Sequence, residues 1–263
     1  MHSLINKTDS KGVLTLSMNR PDVHNAFDAR MIAELTASLK AAASDEAVRM
    51  VVITGSGSCF SAGADLNWML SQVNASLEEN ESDAMQLAKL MRTLNYLSKP
   101  TIAMVNGAAF GGGVGLIAAC DISIATLDAR FGLTEARLGL APAVVSPYVI
   151  RCIGENNARR YFLSGERFDA TEAQRIGLVH QVVSPEQLGA AVEGIISQLL
   201  QSGPVAVNQC KQLVFEIGGH NRKTQKSIDE YTSRLIARLR VSSEGQEGLS
   251  AFLEKRKPAW TDL

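Results

Sequence analysis

The chain has 263 residues, 46% of them hydrophobic, with 26 Lys and Arg against 27 Asp and Glu. That content builds a sizeable core and excludes wholesale disorder, and a net charge of −1 offers no electrostatic footprint for nucleic acid or a membrane surface. The first residues lack the apolar region of a signal peptide and no apolar run reaches ~18 residues, so a cytoplasmic protein without a membrane segment is expected. Cys59, Cys120, Cys152 and Cys210 are far apart and form no C-x-x-C pair. They read as free thiols in a reducing compartment, and no metal site is expected.

Residues 13–18 alternate as a strand, and 20–26 form a loop. Asp28 caps a predicted helix whose apolar positions Met31, Ile32, Leu35 and Leu39 have helical spacing. Residues 50–54 form a buried strand. The small-residue loop 55–65 ends in a potential N-cap, Asp65, before a helical run over 66–70. The segment 71–80 is polar and reads as mobile, and a long helix runs to residue 97. Residues 102–105 are a strand buried on both faces. Asn106-Gly107 marks a turn, and Gly111-Gly112-Gly113 leads into an apolar helix over 114–119. Further strands are predicted over 122–125 and 129–131. From Thr134 the pattern becomes helical, over 159–163, 171–176, 187–200, 205–217, 227–239 and 243–255, with Ser243 as the last cap. Alternating strands and helices followed by helices predict an α/β core over residues 1–200 and a helical region over 201–263.

Two small-residue loops at strand-to-helix junctions define the chemistry. One offers the amide of Ala64, the other that of Gly112. Amides at a helix start lack intrahelical acceptors and sit at the positive end of the helix dipole, so they favour an oxygen that is becoming an anion. The glycine run lacks the P-loop lysine and the G-x-G-x-x-G spacing, so a phosphate cradle is not indicated. No G-x-S-x-G elbow is present and His2, His24, His180 and His220 are scattered, which argues against a Ser-His hydrolase. Two amides without a nucleophile suit enolate chemistry beside a thioester carbonyl, and this needs a carboxylate base. Glu135, after the last strand pair, is the candidate.

The chain resembles the crotonases, the enoyl-CoA hydratase/isomerase superfamily. The resemblance is carried by Asn25-Ala26-Phe27, Ser61-Ala62-Gly63-Ala64-Asp65-Leu66, Lys99-Pro100, Asn106-Gly107, Phe110-Gly111-Gly112-Gly113, Cys120-Asp121, Phe131-Gly132 and Phe252-Leu253-Glu254-Lys255-Arg256. It implies a spiral of ββα turns with a C-terminal helical trimerisation region, and a homotrimer or dimer of trimers. It implies that Ala64 and Gly112 hold the thioester oxygen and that Glu135 is catalytic. Ala26, Ala62, Asp65 and Leu66 match the positions along coenzyme A, and Lys255 matches a lysine near its phosphates. Coenzyme A is then part of the substrate, and no separate cofactor is implied. Hydratases of this family carry a second glutamate at the position of Gly115. Its replacement by glycine is read as room for a bulky or branched acyl group.

The segments 108–112, 139–147 and 244–249 further resemble bacterial methylglutaconyl-CoA hydratases and hydratases of acyclic terpene breakdown, whose substrates are branched and carry a distal carboxylate. Arg137 and Arg151 are the arginines considered for that group. The expected function is hydration of such an enoyl-CoA. An isomerase using Glu135 alone and a non-catalytic acyl-CoA binder are the alternatives.

Overall fold

A computed structural model describes residues 3–262, without the side chains of Leu66, Leu70 and Asp262. An antiparallel pair, β1 (Leu4–Thr8) and β2 (Val13–Met18), opens the chain and is followed by α1 (Ala29–Ser44). Three turns of a spiral come next. The first is β3 (Met50–Gly55), β4 (Cys59–Ser61), α2 (Leu66–Val73) and α3 (Leu77–Asn95). The second is β5 (Thr101–Val105), β6 (Ala108–Phe110) and α4 (Gly112–Ala119). The third is β7 (Ile122–Thr126), β8 (Arg130–Gly132) and α5 (Ser146–Ser164). Each turn gives one strand to each of two sheets, ordered β1-β2-β3-β5-β7-β10 and β4-β6-β8-β9. The strands β9 (Arg167–Asp169) and β10 (Gln181–Val183) flank α6 (Ala170–Arg175). Helices α7 (Leu188–Leu200), α8 (Pro204–Ile217), α9 (Arg222–Arg240) and α10 (Ser243–Leu253) complete the chain.

The central strands of the first sheet are apolar on both faces because both are covered. Along β3, Val51 and Ile53 point into the main core with Leu35, Leu39 and Leu94. Met50 and Val52 point the other way, onto Leu188, Val192 and Ile196 of α7. The two-residue period of a strand requires this division. The parallel register, Val51↔Thr101 and Ile102↔Ile122, aligns the strand ends from which the site loops depart. No helix of the described residues is long and apolar enough to cross a membrane.

Several expectations need correction. The polar segment 71–80 is not a free loop: α2 runs to Val73 and α3 starts at Leu77. Ser76 and Glu79 form a reciprocal capping box there. The cap of α10 is Ser242, whose side chain accepts from the Gly245 amide, and Ser243 is already helical. Residues 146–158, beyond the predicted helix at 159–163, belong to α5.

Many of the motif residues hold loops in place. Asn25 is fully buried. Its Nδ2 donates to the carbonyls of Ser56 (2.9 Å) and Cys59 (2.7 Å), and its Oδ1 accepts from the Arg20 amide. Asn106 Nδ2 donates to the carbonyls of Gly55 and Gly57 at 2.8 and 2.9 Å. Asp121 accepts from the Thr101 amide and hydroxyl and from Lys211 Nζ, each at 2.8 Å. A buried polar group without partners is costly, so these side chains specify one arrangement of the junctions.

Candidate active site

Ala64 owes its free amide to a single β-bridge. Phe27 pairs with Ala64 in parallel, and the bonds of that bridge come from the flanking residues: the Phe27 amide to the Gly63 carbonyl, and the Asp65 amide to the Phe27 carbonyl. The Ala64 amide therefore faces the other way and meets no backbone acceptor. Gly112 is the first residue of α4, where the amide lacks an intrahelical partner. The two loops touch. A Cβ on Gly63 (φ +88°) would lie 2.9 Å from the Phe110 carbonyl oxygen, closer than real Cβ atoms come. Glycine at this position lets the chains meet.

Glu135 reaches the same place from β8. The Gly111 amide donates to the Gly132 carbonyl (3.0 Å), and Glu135 opens a 3-10 turn over Glu135–Leu138. Its carboxylate lies against Gly111, whose Cβ would be 2.9 Å from Oε1; Gly111 also has φ +49°. The residue is half-buried, but Oε2 is fully buried and has no hydrogen-bond partner. Removal from water pushes its pKa up to about 7, because burial disfavours the charged form.

One pocket joins these groups. Ala62, Ala64, Gly111, Gly112 and Glu135 line it beside Trp68, Met69 and Leu87, with Leu140 to Val145, Ile236, Arg240, Leu249 and Phe252 around them. Glu135 is the one carboxylate among the described lining residues. Two amides and one poised carboxyl group in an apolar pocket can hold a carbonyl oxygen and move a proton beside it.

Gly115 does not open acyl space, contrary to the sequence expectation. It is buried in α4, and a Cβ there would lie 2.3 Å from Val145 Cγ1 and 3.3 Å from Met91 Cε. Val145 fills the volume that a longer residue at 115 would need and itself lines the pocket.

The other predicted residues are placed as follows. Ala26 is buried, and its carbonyl accepts from Arg20 Nη1. Asp65 caps α2 through the amides of Asn67 and Trp68, and pairs with Arg20 at 2.8 Å. Leu66 begins α2; its side chain lies outside the described part. Lys255 is exposed in the turn after α10 and does not line the pocket within the subunit. Neither arginine considered for a distal carboxylate reaches the pocket. Arg137 is exposed beside Gly165, and Arg151 donates to Gln225 (2.6 Å) and Tyr96. Sequence reasoning passed over Arg240, which lines the pocket from α9. Its signal was helical phase: it lies four residues beyond buried Ile236, on the same face.

Residues 8–263 match a family model described as enoyl-CoA hydratase/isomerase. The chain is similar to the enoyl-CoA hydratase crystal structure from Shewanella pealeana, at 44% identity and a TM-score of 0.80, over 98% of this chain and 96% of that one. It is 35% identical to the 2,3-dehydroadipyl-CoA hydratase of Escherichia coli, over 94% of each chain. It is 36% identical to the mevalonyl-coenzyme A hydratase of Aspergillus fumigatus, over 94% of this chain and 91% of that one.

Proposed function

This chain belongs to the enoyl-CoA hydratase/isomerase family, and on that premise we propose that it hydrates an enoyl-CoA whose acyl group is branched and ends in a second carboxylate. Enoyl-CoA hydratase activity follows from the family and its relatives; the acyl group and the acting residues are the proposal. The observation that carries the mechanism is the single buried carboxyl, Glu135, beside the free amides of Ala64 and Gly112. The thioester oxygen accepts from both amides. Glu135 takes a proton from water as the water oxygen bonds to the β carbon, and the double-bond electrons move to the carbonyl as an enolate. Glu135 then returns the proton to the α carbon, and the carbonyl reforms. Coenzyme A enters as part of the substrate.

Two similarities support a carboxylated acyl group: the resemblance of segments 108–112, 139–147 and 244–249 to methylglutaconyl-CoA hydratases, and a relative named for dehydroadipyl-CoA, a thioester of a diacid. Incubation with methylglutaconyl-CoA and with crotonyl-CoA, followed by product mass, tests the reading. Gain of one water, faster on the diacid thioester, is expected. An unchanged mass with a migrated double bond makes the protein an isomerase, and no product makes it a binder.

We also propose that the subunit assembles as a trimer. Val205, Val214 and Ile217 of α8 are 74, 67 and 83% exposed in the isolated chain, an apolar surface that a second copy would cover. Light scattering is expected to give three subunits or a multiple of three. A stable monomer at micromolar concentration overturns this.

A further inference from the structure

Arg240 is out of character with its surroundings. Its neighbours along the pocket wall are apolar, among them Met69, Leu87, Leu140 and Ile236, and its side chain is only 13% exposed. Nη1 donates to Asp83 Oδ2 at 3.0 Å and to Asn80 Oδ1 at 3.4 Å. The guanidinium carbon lies 5.5 Å from the centre of the Trp68 ring, and Trp68 Nε1 donates to Asp83 Oδ1 at 3.1 Å. Burial pulls the Arg240 pKa down and pushes that of Asp83 up, as expected of a pair taken out of water.

A buried ion pair is no efficient way to stabilise a helix contact, because apolar residues of similar volume often do as well. Asp83 and Asn80 engage only one nitrogen of the guanidinium. The N–H groups of Nε and Nη2 have no acceptor among the described residues. A second unpartnered group lines the same pocket. Gln72 Oε1 is buried without a hydrogen bond, and its amide nitrogen makes one 3.3 Å contact, with Ser71. Turning this amide exchanges its oxygen and nitrogen, so it can present either an acceptor or a donor. The nucleotide of coenzyme A is large, polyanionic and strongly hydrated. A head group enclosed by α2, α3 and α9 is suited to the buried acyl end of the thioester.

We infer that Arg240, oriented by Asp83 and Trp68, binds the carboxylate at the far end of the acyl chain, with Gln72 as the second contact. This rests on the diacid reading proposed above. Arginine fits the task because its planar fork offers two parallel N–H groups to one carboxylate. The apolar wall between Glu135 and Arg240 then carries the branched carbon chain.

The test measures kcat/KM for methylglutaconyl-CoA and crotonyl-CoA in wild type and in the double variant Arg240→Met, Asp83→Asn, which removes both charges and leaves neither unpaired. The ratio of the two values, diacid over crotonyl, is expected to fall roughly 10- to 100-fold, mainly through KM. Arg240→Lys keeps the charge and loses the fork. It is expected to lower the same ratio less, and supplies the measurement if the double variant does not fold. A wild-type preference for the diacid that survives these substitutions overturns the assignment to Arg240 and leaves the substrate reading standing. A wild type without that preference overturns both.

Discussion

Glu135→Gln is expected to lower kcat by roughly 10²–10⁴-fold while binding of the CoA thioester persists. No second carboxylate among the described residues lines the pocket to share the proton transfers. The same group sets the pH dependence. A base works as its carboxylate, and burial raises the pKa of Glu135 from 4.5 to about 7. Thus kcat/KM of the wild type is expected to rise with pH through about 7 and level off above it. Stability moves the other way. Below the unfolded value of 4.5 the group is protonated in both states and costs nothing. As pH rises toward 7, the unfolded chain gives up the proton while the folded chain keeps it, so stability is lost. The loss reaches ~3 kcal/mol above neutrality. Glutamine carries no such penalty, so urea unfolding is expected to place the variant progressively above the wild type from pH 5 to pH 8. Retained turnover by a folded Glu135→Gln on every enoyl-CoA tested would end the single-base mechanism. Equal stabilities at pH 8 would show instead that the carboxyl is not buried as described.

Ala64→Pro is expected to cost about 3 kcal/mol of barrier, a 10²–10³-fold fall in kcat. The bonds around this position make it the cleaner of the two amides to remove. The bridge to Phe27 uses the Gly63 carbonyl and the Asp65 amide, so proline at 64 deletes the outward donor and no bridge bond. Proline at Gly112 is a poorer probe. A Cβ there would lie 2.7 Å from Phe27 Cε2, so a fall in rate would mix lost hydrogen bonding with a displaced ring. Circular dichroism and thermal melting are expected to show Ala64→Pro folded. A folded variant with wild-type kcat removes Ala64 from the oxyanion role.

The inner strands of the first sheet were legible because burial on both faces leaves short, apolar runs, as in Met50–Gly55 and Thr101–Val105, whereas the edge strands β1 and β10, which are largely exposed or half-buried, were not. The second sheet was legible only at β8, which the predicted strand over 129–131 overlaps. Its strands β4, β6, β8 and β9 have three residues each, too few for a period, and β4 lay hidden in a loop of small residues. The break between α2 and α3 had a readable signature in Ser76-Leu77-Glu78-Glu79, but the polarity of the exposed helix faces around it suggested a mobile segment. Glu135 and the two amides were legible because each follows a strand at a junction. Val145 against Gly115 was not, since the contact joins α4 to the residue preceding α5 and leaves no local pattern. Arg240 lies one residue past the predicted helix over 227–239, and only the burial of Ile236 shows that its face of α9 is turned inward.

Gly115 and Val145 occupy one volume between them, and this makes the two positions inseparable as variables. Glutamate at 115 alone drives its first carbon into Val145 Cγ1, and overfilling a packed site costs about 1–3 kcal/mol or more. A smaller residue at 145 alone leaves a void beside the pocket. Neither single step brings a second carboxylate to the site, whereas the pair taken together supplies both the group and its space. The effects of residues in contact do not add, so a one-position-at-a-time library would score each change as harmful and miss the combination. Directed evolution toward a two-carboxylate hydratase in this scaffold therefore has to vary 115 and 145 in the same clone.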